Sequence, residues 1–175
     1  MGQVIFMCGP AGSGKSTVAR RYEQQGMTRL SFDMEARDRG IAAMPLPPDV
    51  HRDIEDELRD RLVELVRAGA DVVVDYSFWS RAMREEYRGL LRPLGVTPVT
   101  VYLATGRATA LQRVAARTAA KGDDFKLSPE LAALYFDHFE PPTPEEGPLT
   151  VITHELPERQ LIPELPRWIS DRHRR

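Results

Sequence analysis

Gly9, Pro10, Ala11, Gly12, Ser13, Gly14, Lys15, Ser16 and Thr17 fit the pattern G-x-x-x-x-G-K-[ST] with no mismatch. No other stretch constrains the fold as tightly. Glycines at 9, 12 and 14 let the backbone turn through positive φ and approach phosphate oxygens with no Cβ in the way. Successive N–H groups then converge on one concavity, and a helix starting near Lys15 adds the positive end of its dipole. In this pattern Lys15 reaches the β/γ-phosphates and the Ser16 hydroxyl takes a place on Mg²⁺. The flanks agree. Val4 to Cys8 (VIFMC) is a short apolar run, the mark of a buried strand. Ser16 to Gln25 reads as a helix, with Gly26 placed as its C′ residue. Strand, loop, helix is the order that cradles the phosphates of a nucleoside triphosphate. A dinucleotide-type G-x-G-x-x-G is excluded, because Thr17 stands where its third glycine belongs.

The expected organisation is a single domain over residues 1–175, long enough to bury a real core. Its net charge of −2 supplies no global field toward nucleic acid or anionic lipid, so a polynucleotide is the less expected partner. Cys8 is the only cysteine, which rules out an intrachain disulfide and a cysteine-based zinc site and leaves a buried, inert thiol as its expected state. His51, His138, His154 and His173 show no metal-ligand spacing. The N-terminus lacks a basic region followed by a long apolar stretch, and no run approaches a membrane span. A cytoplasmic location with no membrane partner is the expectation, and the oligomeric state is open between monomer and dimer.

Met27 to Phe32 is a second candidate strand, ending at Asp33, followed by a polar stretch from Met34 to Gly40. After prolines 45, 47 and 48, Asp49 is placed to cap an amphipathic helix with Val50, Ile54, Leu58, Leu62 and Leu65 on one face and Gly69 as its stop. Val72 to Asp75 is an apolar strand ending in a carboxylate. Tyr76 to Trp79 form a loop, and Ser80 can cap a helix that turns Met83, Tyr87, Leu90, Leu91 and Leu94 inward before Gly95. Pro98 to Leu103 reads as a fourth strand, and Thr105 as the cap of a helix with Leu111, Val114 and Arg117. Residues 118–127 have the polar composition of a small lid, and a further helix starts at Ser128, Pro129 and Glu130. Phe139 to Pro144 is too rich in proline for regular structure. Leu149 to Thr153 is the fifth strand, with a helical stretch from Pro157 and a basic tail, Arg172 to Arg175. Strands alternating with helices mean a parallel sheet covered on both faces: a three-layer α/β/α P-loop NTPase fold with five parallel strands and a small lid.

In such a sheet, ligands bind beyond the carboxyl ends of the strands. Strand one leads into the loop, strand two ends at Asp33 and strand three at Asp75. Two carboxylates facing a Mg-nucleotide suit phosphoryl transfer to a hydroxyl, one accepting the acceptor's proton and the other helping to position metal or substrate. Helix capping or pairing with a nearby arginine is the structural alternative for each. Arg113 and Arg117, four apart on one helix, lead into the lid segment and suit charge neutralisation on a transferring phosphoryl group; a solvated helix face is their alternative. Trp79, with Phe78 beside it, suits either the wall of an acceptor pocket or packing against the sheet.

With these residues in view, the chain resembles the small P-loop kinases that include chloramphenicol phosphotransferase, zeta toxins and the 5′-kinase domain of polynucleotide kinases. Four patches carry the likeness: GPAGSGKST; SFD after strand two; VVVDYSFWSRAMREEY around strand three; and VYLATGRATALQRVAAR into the lid. The resemblance implies that Asp33 is the general base and that Arg113 and Arg117 contact phosphates. It also implies that Asp75 and Arg84 stand near the acceptor. Met34 to Arg37 and the Phe78-Trp79 pair match no substrate-defining signature. The expectation is an ATP- and Mg²⁺-dependent phosphotransferase acting on a small-molecule hydroxyl. A 5′-OH polynucleotide kinase and a non-catalytic nucleotide-binding module are the alternatives.

Overall fold

The computed structural model describes residues 2–41, 45–119 and 127–153. Five strands, β1 (Val4–Cys8), β2 (Thr28–Ser31), β3 (Val72–Asp75), β4 (Val99–Ala104) and β5 (Leu149–Thr153), form one sheet in the order β2-β3-β1-β4-β5. Every pairing is parallel. The helices are α1 (Lys15–Gln24), α2 (Phe32–Asp38), α3 (Pro48–Arg67), α4 (Arg81–Leu91), α5 (Arg107–Ala119) and α6 (Pro129–Asp137), with 3₁₀ turns at Arg92–Leu94 and Pro144–Glu146.

The period-2 alternation of a strand divides the core in two. Val4, Phe6 and Cys8 pack with Ile54, Leu58 and Leu62 of α3 and Met83, Tyr87 and Leu91 of α4. Ile5 and Met7 turn the other way, against Val18, Ala19 and Tyr22 of α1. A third, smaller cluster joins Val114 of α5 to Leu127 and Ala132, with Ala11 of the glycine-rich loop packed on it. The three layers are those expected from the alternation of elements.

The strand order positions the site. Central β1 feeds the loop, and β3 lies directly beside it with Asp75 in register with Met7. Ser31 at the end of β2 is in register with the same Asp75. Three strand ends therefore open on one edge of the sheet, where open α/β sheets place ligands.

Local signals account for most boundaries. Ser80 and Ser128 cap α4 and α6, accepting from the Met83 and Leu131 N–H groups at 3.2 Å each. Gly26 ends α1 with φ 99°. Several boundaries differ from the sequence reading. β2 stops at Ser31, whose hydroxyl accepts from the Met34 N–H at 3.4 Å and caps α2. Asp33 thus sits in the first turn of a short helix, not at a strand end. The seven-residue α2 is too short to show an amphipathic period, and its cap was hidden inside an apolar strand pattern. In α3, Pro48 takes the first helical position, where its missing N–H costs nothing, so Asp49 lies inside the first turn. α5 starts at Arg107, with the Gly106 carbonyl accepting from the Ala110 N–H, and the Thr105 hydroxyl donates to the Ser13 carbonyl at 3.4 Å. Phe139 to Thr143 is irregular as expected, but Pro144–Glu146 closes into a 3₁₀ turn.

At the expected lid, α5 runs to Ala119, and the Thr118 hydroxyl donates to the carbonyls of Val114 (3.1 Å) and Leu127 (3.0 Å). Residues 120–126 lie outside the described residues, as do the helical stretch from Pro157, His154, His173 and the basic tail.

Candidate functional site

The loop between β1 and α1 is held by its own backbone and by neighbours. The Gly9 N–H donates to the Ser77 carbonyl and the Ser13 N–H to that of Pro10, both at 3.2 Å. Gly12, at φ 80°, lies so close to α5 that a Cβ would stand 2.3 Å from the Ala110 carbonyl oxygen. Gly14, at φ 95°, starts α1 by accepting from the Thr17 and Val18 N–H groups at 3.1 and 3.2 Å. The first N–H groups of a helix have no partner within it, and here they open on the same concavity as the loop. Gly9, Ala11, Gly12, Ser13, Gly14, Lys15, Ser16 and Thr17 thus form the continuous strand–loop–helix cradle that the pattern requires.

Lys15 reaches back over the loop, its Nζ donating to the Pro10 carbonyl at 2.9 Å. Burial lowers its pKa, against the pull of Asp75 and Asp33, which favour the charged form. The Ser16 hydroxyl donates to Oδ1 of Asp75 at 3.3 Å. The other oxygen, Oδ2, accepts from Nε of Arg29 at 3.0 Å and from Nη2 at 2.7 Å. Both partners are buried, with the Asp75 side chain 3% and the Arg29 side chain 7% exposed.

Asp33 is exposed on the first turn of α2. The protein crowding its carboxyl raises its pKa, Lys15 pulls it back, Asp75 raises it and Arg117 lowers it. These couplings gather side chains from four elements around the loop. Arg117 also acts on Lys15. Arg113, on the same face of α5, brings Nη1 to 3.5 Å from the Gly12 carbonyl. The structure therefore brings together Lys15, Ser16, Asp33, Asp75, Arg113 and Arg117.

The oxygens available to a cation are the Ser16 hydroxyl and a carboxylate oxygen of Asp75, with Asp33 nearby. Among the described residues, no group of three or more His, Cys, Asp or Glu side chains stands ready to hold a metal. Few, hard, oxygen ligands beside a phosphate cradle suit Mg²⁺, which keeps several waters and takes its remaining ligands from substrate phosphates. The donor set fits the cation that the pattern implies.

Arg84 is placed differently from expectation. Its side chain is 0% exposed and faces inward from α4. Nε and Nη2 grip the two oxygens of Glu146 at 2.8 and 2.9 Å, while Nη1 donates to the carbonyls of Phe78 (2.9 Å) and Glu140 (2.8 Å). Those contacts tie α4 to the loop after β3 and to the proline-rich connector. Phe78 is core as well, fully buried and stacked on Phe6 with ring centroids 4.4 Å apart. Trp79, the next residue, is 50% exposed, and its carbonyl accepts from the Glu140 N–H at 2.8 Å. Cys8 is the buried thiol expected, donating to the Phe78 carbonyl at 3.5 Å, its pKa pushed up to about 11 by burial.

Arg29 and Glu146 stand outside the residues singled out from the sequence, and Thr105, expected only as a cap, reaches the Ser13 carbonyl. A charged residue within a strand pattern reads as one on a solvated face, and a serine, threonine or glutamate beside glycine or proline reads as turn chemistry. Nothing local in the sequence tells which distant groups they meet. The shallow depression lined by Gly2, Gln3, Gly95 and Thr97 lies at the opposite, amino-terminal edge of the sheet and takes no part in the site.

The chain is similar in fold to several solved structures. A sugar kinase from Janibacter sp. HTCC2649 shares 19% identity over 97% of this chain and 95% of its own, with a TM-score of 0.69. A gluconokinase from Sinorhizobium meliloti 1021 shares 22% over 98% and 95%, with a TM-score of 0.64. The Mycobacterium tuberculosis APS kinase, solved with AMPPNP and APS, shares 17% over 99% and 98%, with a TM-score of 0.62. No curated protein matches the sequence. Residues 4–142, from β1 through the loop, Asp33, Asp75 and α6, match the AAA-domain family, and the chain belongs to that family.

Proposed function

We propose that this protein is an ATP-dependent phosphotransferase, moving the γ-phosphate of Mg-ATP to a hydroxyl of a small molecule such as an antibiotic, a nucleoside or a sugar. The observation that carries this reading is the setting of two acids at the loop, Asp75 accepting from the Ser16 hydroxyl at 3.3 Å and Asp33 on the first turn of α2, whose carboxyl feels Lys15, Asp75 and Arg117. A module that only held nucleotide would need the cradle but not a second acid beside it. The kinase folds to which the chain is similar support the reading, and the net charge of −2 favours a small acceptor over a nucleic acid end.

The backbone N–H groups of the loop and the ammonium of Lys15 hold the phosphates in line. Ser16 and Asp75 would hold Mg²⁺, which when bound offsets the charge that gathers on the phosphate oxygens. Asp33 accepts the proton of the acceptor hydroxyl as its oxygen forms a bond to the γ-phosphorus. The bond to the β–γ bridging oxygen breaks, ADP leaves, and the proton ends on the Asp33 carboxyl. A raised pKa matches that task, because a base works best when its pKa lies nearer the operating pH. Arg113 and Arg117 neutralise charge on the transferring group, and Trp79 covers the acceptor.

ADP release measured against a panel of antibiotics, nucleosides, sugars and a 5′-OH oligonucleotide tests the proposal. A small-molecule acceptor should stimulate release in the native protein and not in Lys15→Ala. Stimulation by the oligonucleotide alone would identify a polynucleotide kinase. Nucleotide binding with no stimulation by any acceptor would leave a binding module.

A further inference from the structure

We infer that Arg29, a strand residue outside the P-loop pattern, is a positioning residue for the divalent-cation end of the site, acting through Asp75 on Ser16. The inference rests on the Mg-nucleotide reading above and extends it to a residue that reading does not use.

Nε and Nη2 of Arg29 both close on a single oxygen, Oδ2 of Asp75, at 3.0 and 2.7 Å. A fork that gripped both oxygens would leave the carboxylate fewer free lone pairs. Here Oδ1 is left for the Ser16 hydroxyl at 3.3 Å. A hydroxyl has one proton and two lone pairs. With its proton committed to Asp75, the Ser16 oxygen turns its lone pairs to the remaining directions, which is the orientation a cation ligand needs. The third nitrogen of Arg29, Nη1, stands 3.7 Å from Oε2 of Glu23, on the same α1 whose first turn carries Ser16. One side chain on β2 thus references the acid at the end of β3 to the helix that bears the metal-binding hydroxyl.

The alternative is that Arg29 merely neutralises a buried carboxylate, since an unpaired charge there would be costly. Lysine separates the two roles. Its ammonium supplies the charge but not two parallel donors in a fixed plane. A residue that orients a metal ligand through one intermediary is typically worth ~10–100-fold in metal affinity.

The experiment uses the full chain with a fluorescent ATP analogue and no acceptor, so that turnover plays no part. Binding is measured in EDTA and then as a function of Mg²⁺, for the native protein, Arg29→Lys and Arg29→Gln. Mn²⁺ electron paramagnetic resonance reads cation binding directly. The expected result is unchanged analogue binding in EDTA, and half-saturating Mg²⁺ and Mn²⁺ raised ~10–100-fold in Arg29→Lys. Arg29→Gln should show the same rise wherever it stays folded. A folded Arg29→Lys with native half-saturation overturns the proposal, whatever the fate of Arg29→Gln. So does an Arg29→Lys that melts below the assay temperature, since that assigns the residue to stability alone. If native analogue binding does not respond to Mg²⁺ at all, the Mg-nucleotide reading fails first, which is a distinct result.

Discussion

Arg29 and Arg84 are both buried arginines set against carboxylates, on opposite faces of one sheet, and they are put to different uses. Arg84 takes both oxygens of Glu146 and spends its remaining contacts on the carbonyls of Phe78 and Glu140. Arg88 adds a contact from Nη1 to Oε2 of Glu146 at 3.2 Å and another from Nη2 to the Thr100 hydroxyl at 3.1 Å. Every oxygen in that knot faces protein, so it can do nothing but hold α4, the loop after β3 and the 3₁₀ turn together. Arg29 closes on one oxygen of Asp75 and leaves the other for Ser16. A buried arginine–carboxylate pair is therefore not in itself a sign of a site. What distinguishes the two is whether a carboxylate oxygen still looks toward the phosphate loop.

On this contrast, substitutions around the phosphate loop cost activity while those in the Arg84–Glu146 knot cost stability. The largest effect is expected for Asp33→Asn. Loss of a general base is worth ~10²–10⁴-fold in transfer rate, with ATP affinity kept. The native rate should climb as pH rises through the raised Asp33 pKa, because only the ionised form accepts a proton, and that climb should vanish in the variant. Stability should move the other way. A carboxyl whose folded pKa lies above its unfolded value favours the fold below the unfolded pKa and loses that contribution as pH rises through the folded one. Asp33→Asn should therefore melt higher than the native protein at neutral pH. Normal transfer by Asp33→Asn beside an inactive Asp75→Asn would move the base to β3.

Glu146→Gln comes next and should reverse the pattern. Breaking a buried pair leaves two arginines short of their partner, at a cost of ~3–5 kcal/mol in unfolding free energy, while the kcat of the surviving folded protein stays near native. The hydrogen bond from Arg84 holds the Glu146 pKa at about 2, below its ordinary 4.5. Its contribution is present above the ordinary value and is lost as pH falls toward about 2, so acid melting curves should be steeper in the native protein than in the variant over that window. A variant that keeps its stability and loses acceptor turnover would place Arg84 and Glu146 in the site.

The smallest effect separates the half-exposed Trp79 from its buried neighbour Phe78. Trp79→Ala should leave stability within ~0.5 kcal/mol, as exposed substitutions do, and raise KM for the acceptor more than it lowers kcat. An unchanged KM would make Trp79 an ordinary surface residue.

What could be read from the chain were features that announce themselves locally. The apolar run Val4 to Cys8, the glycines that follow and the helix after them define the phosphate cradle, because positive φ, missing Cβ atoms and free helix N–H groups are properties of a few consecutive residues. Ser80 and Ser128 marked helix starts for the same reason, and the alternation of strands with helices implied a parallel sheet between two helical layers. The helix carrying Asp33 was missed because its serine cap was embedded in an apolar strand pattern and α2 spans only seven residues. The fates of Asp75, Arg29 and Arg84 were decided by tertiary structure alone. The order β2-β3-β1 places the end of β3 beside the loop and Arg29 beside Asp75, while Arg84 meets Glu146 across a separation of 62 residues. Burial and pairing at that range follow from which strands adjoin and which way each side chain turns, and neither is a property of any short stretch of sequence.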